Sequence, residues 1–376
     1  MYAMSANAGI RETDLVDAAV AWLQARVPST WAVERARRNA DPGAEVVNVD
    51  AFIELRAPNG TYTTLAVEAR ESIEPREVER LLPGLARSLR ALAGHAPLLV
   101  VAPWLSPRTQ ELLAAERLNF LDLTGNALVR LDNPAVFIQA AGAARNPAPA
   151  ARGRATIRGA KAARLVRLLA DVRPPYGVRE LAGAAALTAG YVSRLLDTLD
   201  RDALIERGRR GVVVDVDVDA LLRAWAAGYD VFKSDLVSTF VATNGTAAAL
   251  ERLGALSTQT LVTGSFAAVR LAAVAAPSLL ALYCQDVPAT ARELGLLPAD
   301  EGANVALLRP FDDVVWARGS IVDGIGYAAP AQVVVDCLSG NGRMPAEGEA
   351  ALAWMLDHED RWRAASLSQA ATASVP

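Results

Sequence analysis

The chain has 376 residues, 52% of them apolar and 21% charged, with a net charge of −4. That length suits two or three domains, and the composition is globular, not disordered. No apolar run is long enough for a membrane span, the opening residues MYAMSANAGIRETD lack the apolar core of a signal peptide, and two dispersed cysteines (Cys284, Cys337) and two histidines give neither a disulfide framework nor a zinc site, so a cytoplasmic protein is expected.

Residues 1–145 read as a first domain. Val16, Ala19, Leu23 and Val27 recur at helical spacing over 15–27. Strands are expected over 45–55 and 61–70, joined at Pro58-Asn59-Gly60. A helix is expected from Pro75 to Ala93, a buried strand over 96–103, a helix capped by Ser106, and two short strands around Gly125-Asn126. This order of helix, hairpin, helix, strand, helix, strand predicts an α/β layout. The Pro/Ala-rich stretch 144–154 predicts a linker.

The second domain, 152–234, carries the strongest pattern. Ala162, Leu165, Val166, Leu168 and Leu169 give one buried face to a helix over 158–172, which Pro174-Pro175 ends. A short helix over 178–186 follows, then a third that Thr188 caps, with Tyr191, Val192, Leu195, Leu196 and Leu199 as its apolar residues. IERGRRGVVVDV then predicts two strands around a basic turn. Three helices followed by such a hairpin read as a winged helix-turn-helix. Residues 152–211 hold thirteen basic and six acidic side chains on a chain that is acidic as a whole. Concentrated positive charge in that pattern points to double-stranded DNA. The residues expected to meet it are Thr188, Tyr191, Ser193 and Arg194 at the base edges, with Arg158, Arg207, Arg209 and Arg210 on phosphate or in the minor groove.

The third domain, 235–365, is expected to open with helical residues 218–234 and 236–253 leading into it. Strands are expected over 260–265, 279–286, 304–310, 314–320 and 331–339, a helix at FAAVRLA, and a surface helix over 346–358. The tail 366–376 is expected to be disordered.

Two motifs test for catalysis. Asp50 with Glu68-Ala69-Arg70, on adjacent strands, resembles the restriction-endonuclease-like nucleases, in which two carboxylates hold Mg²⁺ or Mn²⁺ and a lysine orients the attacking water. Arg70 stands where that lysine is expected and cannot act as a base. An ion pair among Asp50, Glu68 and Arg70 on an inactive scaffold is the expected outcome. Thr263-Gly264-Ser265 after a strand resembles the triphosphate-binding turn of nucleotidyltransferases. The next strand offers Asp286 alone, so a nucleotidyltransferase-like fold without the two-metal clamp is expected.

VTGSFAAVRLA, Gly302-Ala303-Asn304, Phe311-Asp312, Gln332 and Asp336 are similar to the C-terminal module of AbiEi-type antitoxins of type IV toxin–antitoxin systems. NFLDLTGNALVRL and VVVDCLSGNGR are similar to actinobacterial helix-turn-helix regulators carrying that module. The resemblance implies repression through a winged helix at inverted repeats, which a homodimer would match, and a protein toxin as partner of the C-terminal domain. The long N-terminal unit departs from that pattern. The expected architecture is therefore a multidomain α/β protein: restriction-endonuclease-like, winged helix-turn-helix, nucleotidyltransferase-like. The expected function is sequence-specific DNA binding by a regulator without cofactor or membrane partner. A metal-dependent nuclease delivered by the winged helix, and an adaptor for a toxin or a DNA-repair protein, are the competing readings.

Overall fold

The computed structural model describes residues 11–36, 49–80, 82–92, 96–144, 146–147 and 157–372. Arg152, Arg154, most of the linker expected over 144–154 and the start of the strand expected over 45–55 lie outside them. The chain divides into two compact α/β units, Met1–Gly153 and Arg154–Pro376.

The first unit is built on one seven-stranded sheet. In order come α1 (Glu12–Gln24), β1 (Ala32–Arg35), β2 (Ala51–Arg56), β3 (Tyr62–Ala69), α2 (Pro75–Arg80), α3 (Leu82–Leu92), β4 (Leu98–Ala102), α4 (Pro107–Ala115), β5 (Asn119–Asp122), β6 (Ala127–Asp132) and β7 (Ala135–Ala140). The strands lie side by side in sequence order. β1, β2 and β3 form an antiparallel meander, β4 and β5 run parallel to β3, and β6 and β7 return antiparallel. Alternation along β3 and β4 separates two cores. Leu65, Val67, Leu99 and Val101 pack with Leu15, Val16 and Leu23 of α1, while Ala66, Leu98 and Val100 pack with Val78, Leu105 and Leu113 on the other face. A strand buried on both faces reads as a continuous apolar run, as LLVVA does. The expected helix from Pro75 to Ala93 is instead α2 and α3; Pro83, in the first turn of α3, cannot sit inside an uninterrupted helix at its usual cost. β1 and β7, the two edge strands, were not expected.

The second unit runs α5 (Gly159–Asp171), α6 (Val178–Ala184), α7 (Ala189–Arg201), β8 (Ile205–Arg207), β9 (Val213–Val216), α8 (Val218–Ala226), α9 (Val231–Ser234), β10 (Leu236–Val241), α10 (Thr246–Glu251), β11 (Thr260–Thr263), α11 (Gly264–Leu271), β12 (Leu280–Cys284), α12 (Val287–Leu294), β13 (Leu297–Pro298), β14 (Val305–Arg309), β15 (Ser320–Val322), β16 (Ile325–Tyr327), α13 (Pro330–Leu338), α14 (Met344–Asp357) and α15 (Leu367–Thr372). β8 and β9 form a two-stranded sheet, and the others a mixed sheet ordered β13-β10-β14-β12-β11-β16-β15. One hydrophobic core runs from Ala162 to Ala370, so the domain boundary expected between 234 and 235 passes through it.

Four expectations here are corrected. Residues 236–253 are not one helix: β10 pairs with β14, and a helix forms only over Thr246–Glu251. Residues 331–339 are helical, not a strand. α13 packs against α5, α8, α11 and α14 and is buried on every side, so its Val-rich run has no polar stripe to reveal a helical period. The strand expected over 314–320 is a 3-10 turn at Asp313–Trp316, and strand begins only at Ser320. The tail is helical over Leu367–Thr372, where Ala370 is buried and α15 packs on α6.

Candidate nucleic-acid interface

The framework of residues 159–216 follows from local chemistry. Ala162, Leu165, Val166 and Leu169 of α5 are fully or almost fully buried, as are Leu181 of α6 and Val192, Leu195, Leu196 and Leu199 of α7. Tyr176 exchanges backbone hydrogen bonds with Val213 (3.3 and 3.1 Å), which adds a third short extended segment beside β9. α6 ends with the Leu187 amide donating to the Ala182 carbonyl (2.9 Å) and Ala186 in the left-handed region (φ 52°). That pair of features is the Schellman stop, and it turns the chain within two residues. Thr188 then caps α7, its side chain accepting from the Tyr191 amide at 3.4 Å.

The turn leaves the start of α7 open. Thr188, Ala189, Gly190 and Arg194 are exposed, and Tyr191 and Ser193 are half-buried. Burial raises the Tyr191 hydroxyl above its ordinary pKa, with nearby Arg194 pulling the other way. The Arg194 guanidinium lies back along the helix toward Gly190, as long helical side chains do. Arg194 has no hydrogen-bond or ion-pair partner among the described residues, and the same holds for Lys161, Arg179, Arg209 and Arg210. Arg209 and Arg210 form the turn between β8 and β9, where Arg210 (φ 60°) and Gly211 (φ 74°) are both left-handed.

Other basic residues of the stretch are engaged. Arg207 pairs with Asp197 of α7 and donates to the Gly211 carbonyl (3.2 Å), so it braces the hairpin against the helix. Arg164 holds Asp312 through Nε (3.0 Å to each carboxylate oxygen) and Nη2 (2.8 Å). Arg167 is fully buried, and its guanidinium reaches Asp171 Oδ2 (3.0 Å), Gln332 Oε1 (2.8 Å) and the Ala317 carbonyl (3.0 Å). Arg318 donates to the same Asp171 oxygen at 2.5 Å, and the two cations hold the Asp171 carboxyl below its usual range against the opposing effect of burial. Arg173 pairs with Asp360 and Glu359. Arg158 lies apart from α7, over Gly228 beside Trp225 and Phe311.

The residues of the C-terminal motifs face inward. Gln332 donates to Asp336 Oδ1 (2.7 Å), whose other oxygen accepts from Thr263 (2.5 Å) and Tyr283 (3.0 Å). Burial lifts the Asp336 carboxyl to about 7 against those three donors. Ser265 donates to Glu347 at 2.5 Å, so the hydroxyls on either side of Gly264 are both engaged by carboxylates. Asp286 caps α12, accepting from the Ala289 amide. Asn304 clamps Ala242 with bonds in both directions (2.8 and 3.3 Å), and Gly302 takes the left-handed conformation (φ 69°) just before Ala303.

In the first unit, Asp50 donates no free carboxylate pair to a metal: its Oδ2 accepts from the Ala69 amide at 2.7 Å. Glu68 is buried and ion-paired with Arg70, whose Nε lies 2.7 Å from Oε1. Burial pushes the Glu68 carboxyl up, and Arg70 opposes it. Among the described residues no group of three or more His, Cys, Asp or Glu is placed to hold a metal ion, and no helix is long and apolar enough to cross a membrane.

Residues 215–352 match the family model described as AbiEi_2, transcriptional regulator, AbiEi antitoxin, type IV TA system. The match covers less than half of the chain and contains Gly264, Asn304, Asp312, Gln332 and Asp336. No curated protein and no solved structure matches the chain significantly.

Proposed function

We propose that the chain is a double-stranded DNA-binding transcriptional regulator of the antitoxin type, with residues 159–216 as its winged helix-turn-helix. The order α5, Tyr176 segment, α6, α7, β8, turn, β9 supports that reading, and so does the family match that begins in β9. The observation that carries it is the unpartnered Arg194 on the open end of α7, with unpartnered Arg209 and Arg210 on the hairpin turn. In this reading α7 enters the major groove. Thr188, Tyr191, Ser193 and Arg194 meet base edges, while Arg209 and Arg210 meet phosphate or the minor groove. Arg207 acts by holding the turn in place, not by contacting DNA. A homodimer would present two α7 helices to a two-fold operator, and the C-terminal α/β part would receive a protein partner such as a toxin.

The test is selection of bound duplexes from a random library by the full chain, followed by titration of the selected and a scrambled duplex at several salt concentrations. Replacing Arg209 and Arg210 together with Ala should weaken binding to both duplexes and reduce the salt slope by about two units. Equal affinity of the wild type for selected and scrambled DNA would sink the sequence-specific reading.

The first unit is, in this proposal, a restriction-endonuclease-like scaffold without activity. The meander, helical crossover and parallel β4 support the fold, and the Glu68–Arg70 pair supports the inactivity. The donor set does not fit a hard divalent cation, since one Asp50 oxygen is held by an amide and a guanidinium sits on Glu68. The protein therefore works without Mg²⁺, Mn²⁺ or another cofactor. Supercoiled plasmid with either metal should stay intact, and nicking lost in Glu68→Ala would establish the nuclease reading instead.

A further inference from the structure

We infer that the second unit binds a small planar carboxylate with a single apolar ring, in a cavity between the start of α5 and the end of α8. The cavity has a volume of 190 Å³ and is bounded by Arg158, Gly159, Trp225, Gly228, Tyr229 and Phe311. A cavity of about 150 Å³ with apolar walls accommodates one benzene ring, so this one admits a ring and a small head group.

Its walls are aromatic and fixed. Trp225 and Tyr229 are buried, with ring centroids 5.8 Å apart, and Tyr229 stands 5.8 Å from Phe311. The Tyr229 hydroxyl donates to Asp235 Oδ2 (3.1 Å), and the Phe311 amide donates to Asp235 Oδ1 (2.9 Å). One buried carboxylate thus ties two walls together, and little ordering remains to be done on binding.

The mouth is cationic. Arg158 has no hydrogen-bond or ion-pair partner among the described residues. It lies across Gly228, where an added Cβ would meet Arg158 Cγ and Nε at 3.3 Å, so glycine keeps that path clear. Arg158 is also the residue that precedes α5, and its side chain caps none of the first-turn amides. A carboxylate at the mouth would meet a guanidinium fork of matching plane together with the N-terminal end of a thirteen-residue helix. One guanidinium and one ring-sized apolar space select a monocarboxylate over a polyphosphate. The site stands independently of whether α7 reads DNA.

Benzoate and its uncharged counterpart benzyl alcohol are the probes, titrated calorimetrically into the full chain. Benzoate should bind saturably, with a Kd on the order of 1 mM, and benzyl alcohol at least about tenfold more weakly. Arg158→Gln keeps the stem and removes the charge from an exposed residue, so the melting temperature should hold while benzoate affinity falls at least about tenfold. Gly228→Leu should abolish binding of both probes. Absence of saturable benzoate binding by the wild type overturns the inference, and so does binding that Arg158→Gln leaves unchanged.

Discussion

Arg70 and Arg194 are both solvent-exposed arginines at the end of a regular element, yet their surroundings differ. Arg70 is bound to buried Glu68, one residue removed along the same strand, while Arg194 has no partner among the described residues. The same contrast runs through residues 158–211, where Arg164, Arg167, Arg173 and Arg207 close on carboxylates and Lys161, Arg179, Arg194, Arg209 and Arg210 do not. A positive count along a sequence therefore overstates the charge offered to a polyanion. What matters is which cations the fold has not already neutralised.

The largest expected effect comes from the inward set. Asp171→Ala strips Arg167 and Arg318 of their shared acceptor and leaves buried cations unpaired, which should cost about 3–5 kcal/mol in a urea titration. A loss below about 1 kcal/mol would erase the distinction between structural and free arginines.

Next comes a pH effect. Asp336 has a folded pKa of about 7 against 3.8 for the free side chain. The folded state then holds more protons than the unfolded one between those values, so this group's contribution falls as pH rises through that window and levels off above it. Burial lifts Asp235 to about 6 and adds a contribution of the same sign. Wild type should lose stability relative to Asp336→Asn from about pH 5 to pH 7, with parallel curves above. Parallel curves throughout would mean that Asp336 does not titrate in that range.

The outward set is smaller in energy and different in kind. Arg194→Ala should leave the urea midpoint in place and cost about 1–3 kcal/mol of binding on the selected duplex only. An equal loss on scrambled DNA would reassign Arg194 to phosphate. The smallest effect is expected at Arg70. Its pair with Glu68 is half open to water, so Arg70→Ala should cost about 1 kcal/mol or less and leave DNA binding untouched. A drop in DNA affinity in that variant would bring the first unit into the interface.

The sequence made the helices of residues 159–201 and the basic hairpin legible because each carries a local signal. These are the 3.6-residue stripe of α5, the threonine cap of α7 and the glycines of the turn. Ser106 was readable in the same way, and its hydroxyl does accept from the Thr109 amide. α13 was not readable, since a helix enclosed by four others shows no amphipathic period. β10 was lost because its alternation is weak and its partner β14 lies more than sixty residues away in the chain. For the candidate site, Thr188, Tyr191, Ser193 and Arg194 do share the open end of one helix. The engagement of Arg207 by Asp197, and the position of Arg158 over Gly228, depend on contacts that no spacing rule encodes.

The pairs Arg164–Asp312 and Arg167–Gln332 bear on how this chain could be cut or recombined. The family match begins at residue 215, whereas both arginines lie upstream of it and both of their partners lie within it. A fragment severed at that boundary would expose the flanks of α8 and α13 that α5 covers, and would leave Gln332 and Asp312 without their cations. Exchange of DNA-reading halves between homologues would thus need to carry Asp312 and Gln332 along with α5, which makes the heritable unit longer than the recognisable one.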